Sequence, residues 1–122
     1  MNKFKKIADR LGEGELLLQL VEELLELALA CLKRRRAKLQ INPTPVKPEQ
    51  ARNNMIEELA DVSVCLSALG LDTNNRPVML QVTRTMNEKT QRWADRLGIR
   101  EDDREDVPEH HQFLNSRFSR KE

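Results

Sequence analysis

Glu22, Glu23 and Glu26 interrupt the most apolar stretch of the chain, and a second acidic group, Glu57, Glu58 and Asp61, follows further along. At about 100 degrees per residue, the first three cover a narrow arc of a helix, while Glu58 and Asp61 are neighbours on one face of another. Like charges at this spacing repel, and a carboxylate withdrawn from water needs a compensating cation. A donor set made only of carboxylates suits a hard ion, Mg2+ above all with Mn2+ as a substitute, which keeps several waters and is usually shared with substrate phosphates. Zinc would call for His or Cys, but the two histidines, His110 and His111, are adjacent near the C-terminus and are expected at the surface. A ferritin-like di-iron site would need a Glu-x-x-His pair on each of two helices, and here the third residue after each key glutamate is acidic. The alternative, ordinary solvent-facing acids on amphipathic helices, carries about equal weight on spacing alone.

Helices must position these groups. Aromatics make up 3% of the 122 residues and only four glycines occur, while Leu, Ala, Glu, Lys and Arg dominate, a mixture that favours an all-α fold within one domain. Phe4, Ile7, Ala8 and Leu11 form a stripe that predicts a short amphipathic helix over 2–11, ended by Gly12. A long helix is expected over 13–39, apolar on most sides between Leu16 and Leu32 and therefore buried. Its end carries Lys33, Arg34, Arg35 and Arg36, where cations meet the helix dipole favourably. Pro43, Pro45 and Pro48 mark a connector. Met55, Leu59, Val62, Leu66 and Leu69 then predict a bundle seam on a helix closed by Gly70. A turn with capping side chains over 72–76 leads to a fourth helix over 77–97, with Val78, Val82, Met86, Trp93 and Leu97 on its stripe.

The expected organisation is a helical domain over 1–98 and a charged tail over 99–122, with Phe113, Leu114 and Phe118 available for docking. Twenty-one basic residues against 20 acidic ones give no field that would draw nucleic acid or an anionic membrane. The first residues lack a secretory signal's apolar segment, and glutamates break the one long apolar run, so a cytoplasmic protein without membrane spans is expected. Cys31 and Cys65 fall in apolar helical stretches and are read as reduced core thiols.

Glu22-Glu23-Leu24-Leu25-Glu26, followed later by Glu58-Leu59-Ala60-Asp61, resembles the signature of the MazG-like branch of the all-α nucleoside triphosphate pyrophosphohydrolases, over roughly residues 4–97. The resemblance implies a four-helix-bundle-like fold and conversion of a ribo- or deoxynucleoside triphosphate to the monophosphate and pyrophosphate. It makes Glu23, Glu26, Glu58 and Asp61 the metal ligands, and it gives Glu22 the orientation of the attacking water. Lys89 and Arg92, on one face of the last helix, correspond to phosphate contacts. The segment between Glu26 and Glu58 is longer than is usual in that family, a difference that the proline-rich connector accounts for.

The apolar faces of the helix between Leu16 and Leu32 exceed what three neighbouring helices can cover, so at least a homodimer is expected, and the resemblance implies a dimer or tetramer. A different class of function, a non-catalytic helical adaptor that binds a partner helix, would use the same apolar surface. Nucleic-acid binding through residues 33–36 is disfavoured by the near-zero net charge. No base-reading signature is visible, although Phe4, Trp93, Phe113 and Phe118 are available to stack on a base.

Overall fold

The computed structural model describes residues 2–41 and 45–101 and is built from three helices: α1 (Lys3–Leu39), α2 (Pro48–Ala68) and α3 (Arg76–Leu97). No strand occurs among the described residues. The protein is all-α. It divides into two compact units, residues 1–79 and 80–122, and the division falls inside α3. Of the tail expected from residue 99 onward, residues 102–122, with His110, His111, Phe113, Leu114 and Phe118, lie outside the described residues.

The two helices expected on either side of Gly12 form one element bent at that residue. Gly12 has φ 80° and ψ 161°, a conformation closed to residues with a side chain. The break falls where the sequence placed it, but without an intervening loop. Asn2 caps the start, its side-chain Oδ1 accepting from the Lys5 amide at 2.8 Å. Past Leu39, Gln40 adopts a left-handed conformation, and its amide donates to the Ala37 carbonyl at 2.7 Å.

α1 and α2 pack as an antiparallel hairpin. At one end the Arg34 guanidinium donates to the Pro48 carbonyl, so one cation of the basic run is used to tie the helices together. At the other end, Phe4 and Ala8 line one shallow depression with the segment from Ser67 to Gly70. Along α1 the inward positions are Leu16, Leu20, Glu23, Leu27, Ala30, Arg34 and Ala37, which alternate steps of four and three as in a coiled-coil seam. On α2 they are Ala51, Met55, Glu58, Val62, Cys65 and Ala68. The buried residues among these are Leu16, Ala30, Ala37, Ala51, Val62, Cys65 and Ala68, mostly small, which lets the two backbones approach closely.

Leu59, placed in the α2 seam, is 52% exposed, because the seam passes through Glu58 and Cys65. Cys31 is exposed on the outer side of α1, so only Cys65 is a core thiol. The stretch from Leu16 to Leu32 is not buried within one chain: a second apolar stripe, Leu18, Val21, Leu25, Leu29 and Leu32, runs along α1 outside the seam.

α2 ends in a Schellman turn, with Gly70 at φ 72° and the Leu71 amide donating to the Leu66 carbonyl at 2.8 Å. Asn75 then serves two elements. Its Nδ2 donates to the Gly70 carbonyl at 2.9 Å, and its Oδ1 accepts from the Val78 amide at 3.4 Å, capping α3. α3 buries none of its residues, and Trp93 is 68% exposed.

Candidate metal centre

Glu23 belongs to the α1 seam and Glu58 to the α2 seam, positions where the alternation of four and three would place an apolar side chain. The hairpin therefore turns both carboxylates toward its own interface. Glu26 follows Glu23 by three residues and stands on the same side. One carboxylate oxygen from each of Glu23, Glu26 and Glu58 lies within 4.8 Å of the other two. Glu23 and Glu58 are half-buried and Glu26 is exposed, which leaves the cluster closed on one side and open on the other.

The hydrogen bonding is incomplete. Gln19, one turn before Glu23, donates through Nε2 to Glu23 Oε1 at 2.7 Å and fixes that carboxylate. Glu23 Oε2 and Glu58 Oε2 are shut off from solvent and have no partner. Burial pushes the Glu58 carboxyl above the ordinary glutamate value of 4.5, helped by a hydrogen bond with Glu26 and by the charges of Glu26, Asp61 and Glu23. Two carboxylates can share a hydrogen bond only through a proton held between them. With both ionised, Glu58 Oε2 has no partner among the described residues, a deficit that a shared proton or a cation would relieve.

Asp61 lies one turn beyond Glu58, is exposed, and is not one of the three clustered carboxylates, although its charge acts on both Glu58 and Cys65. Glu22 and Glu57 are exposed as well. The Cys65 thiol sits in the seam beside the cluster; burial raises its pKa, and the charges of Glu23 and Asp61 raise it further. It is therefore kept as a neutral thiol rather than a thiolate ligand. Lys89 and Arg92 belong to the second compact unit, where they line a shallow surface depression with Met86, Trp93 and Arg96.

The donor chemistry fits a hard divalent cation: three carboxylates, two with an unsatisfied oxygen, and no imidazole or thiolate. Sequence reading missed the positioning role of Gln19, whose signal was an amide four residues before a glutamate. It also missed the placement of Cys65, which only the pairing of the helices reveals. No family model, curated protein or solved structure matches this chain.

Proposed function

We propose that the protein is a Mg2+-dependent nucleoside triphosphate pyrophosphohydrolase that releases pyrophosphate and a nucleoside monophosphate. The observation that carries this reading is the pair of seam glutamates, Glu23 and Glu58, each with a carboxylate oxygen that is out of solvent and unpartnered. Buried polar groups are nearly always satisfied, so two such oxygens beside a third carboxylate support a reading in which a cation completes them. The resemblance of residues 22–26 and 58–61 to the MazG-like signature supplies the reaction class.

In this reading Glu23, Glu26 and Glu58 would hold the ion from two helices, and the resemblance adds Asp61 as a fourth ligand. When bound, the ion polarises phosphate oxygens and offsets the charge of the leaving pyrophosphate. Glu22, at the exposed edge, orients the attacking water and takes its proton. Gln19 keeps Glu23 in place. The resemblance gives Lys89 and Arg92 of α3 a phosphate-binding role. The exposed stripe of α1 supports self-association into a dimer or tetramer, since large unpartnered apolar patches mark interaction surfaces.

The test is pyrophosphate release from a panel of ribo- and deoxynucleoside triphosphates, with and without Mg2+, for wild type and Glu58→Gln. Release that requires Mg2+ and is abolished by the substitution is the expected result. If no nucleotide is cleaved and none raises the melting temperature in Mg2+, the helical adaptor reading replaces it.

A further inference from the structure

Between α1 and α2, next to the acidic cluster, lies a cavity of about 400 Å³. Glu26 and Glu58 form one end of its lining. From there it follows the hairpin toward the start of α2, over a floor that includes Leu29, Ala30 and Ala51, and it meets Lys33 and Asn54 on the way. Lys33 follows Glu26 by seven residues, so the two lie on one face of α1, roughly 10 Å apart along the axis.

Lys33 and Asn54 are both left with unused capacity. Among the described residues Lys33 enters no hydrogen bond or ion pair, although Arg34 beside it is bonded to the Pro48 carbonyl. Asn54 accepts from Gln50 at 3.3 Å, and its side-chain N–H groups have no acceptor among the described residues. The lining also carries three carboxylates, those of Glu26, Glu57 and Glu58, against the single ammonium of Lys33. Such a cavity repels a phosphate chain anywhere except at a bound cation. Its lining is mixed, with Leu29, Ala30, Val46 and Ala51 beside the polar groups, and an uncharged heterocycle that has a hydrogen-bonding edge matches both parts.

We propose that this cavity is the base subsite, in which Lys33 and Asn54 read the hydrogen-bonding edge of the nucleobase while the phosphates remain at the glutamate cluster. The inference rests on the pyrophosphohydrolase reading for its ligand class. Lys33 only donates, and Asn54 both donates and accepts, so together they match an edge that offers a carbonyl or ring-nitrogen acceptor beside an N–H. Lys33 and Asn54 are then the residues that set which nucleotide is used.

The experiment compares wild type, Lys33→Met and Asn54→Leu on the four deoxynucleoside triphosphates and on deoxyribose 5′-triphosphate, which has no base. Melting curves establish first that the variants fold. Each variant is expected to lose about tenfold in kcat/KM on the preferred nucleotide and to compress the ranking of the four, with the base-free compound unchanged. Equal losses on the base-free compound would make these residues phosphate contacts and overturn the proposal. A second arm measures binding of α,β-methylene deoxynucleoside triphosphates in Mg2+ by calorimetry. Binding that Lys33→Met weakens in a base-dependent way, in a protein that cleaves nothing, would sink the hydrolase reading and keep the base subsite. Binding that no variant alters would sink the subsite.

Discussion

Glu23 on α1 and Glu58 on α2 meet across the hairpin seam, each with one oxygen hidden from solvent and unpartnered. Without a cation these charges oppose the packing that brings them together. Replacing either with its neutral isostere, Glu23→Gln or Glu58→Gln, should therefore raise the melting temperature of the metal-free protein. In millimolar Mg2+ the order should reverse, because only the wild type gains from binding the ion. Thermal melts in chelator and in Mg2+ check both halves, and a wild type that melts at the same temperature in each would end the metal-centre reading.

The same repulsion gives a pH dependence of definite sign. The Glu58 pKa is raised in the folded protein, so the native state holds more protons than the unfolded chain at any pH between 4.5 and the raised value. The stabilisation is complete below 4.5 and is lost as pH rises through the folded pKa. Metal-free wild type should thus become more stable as pH falls from neutral into that window, and Glu58→Gln should lose this increment. Mg2+ should flatten the wild-type dependence, since the ion takes the place of the proton. Urea titrations across the pH range would show whether the increment belongs to Glu58.

The helices and the glycines that end them were legible because they depend on local chemistry. Gly12, Gly70 and Gly98 each have positive φ at a helix break or end, and the turn over 72–76 does cap α3 through Asn75. The seam of α2 was not, since Leu59 and Glu58 are adjacent and hydrophobicity alone chooses Leu59. The structure chooses Glu58 because the facing positions on α1 are set by Ala30, Ala37 and Leu16, and close packing of small residues fixes the rotation of α2. For the same reason three of the acids could be picked out by type and spacing, whereas the cavity with Lys33 and Asn54 exists only once the helices are paired.

Close approach makes the seam intolerant of added volume. Ala37 is 2% exposed, where α1 nears the connector and well along the helix from the glutamates. Ala37→Leu should cost about 1–3 kcal/mol through overpacking. Chemical denaturation measures the loss, and a change within a few tenths of a kcal/mol, by the usual scale of surface substitutions, would mean that the helices are not in close contact there.

The bend at Gly12 brings Phe4 and Ala8 to the end of α2, and it depends on a backbone conformation that only glycine adopts readily. No atom lies within 4 Å of a side chain built at this position, so the cost of Gly12→Ala is one of backbone strain alone, about 1–3 kcal/mol. The variant should be destabilised by that amount or should straighten α1 and carry Phe4 away from the end of α2. Denaturation together with the Phe4 ring signals in NMR separates the two outcomes, and a variant unchanged in both would remove the bend.

Leu18 and Leu25, seven residues apart on the second stripe of α1, are 62% and 61% exposed within one chain. Side chains of this size gain about 1.5–3 kcal/mol each on full burial, and a row of them left in water invites association. If a second copy covers the row, Leu25→Lys should shift the assembly toward monomer in light scattering by placing a charge in the contact. It should leave the seam of the hairpin, and so the helical content, intact. A Leu25→Lys protein that assembles as wild type does would place the subunit contact elsewhere, with the exposed stripe left for a different helical partner.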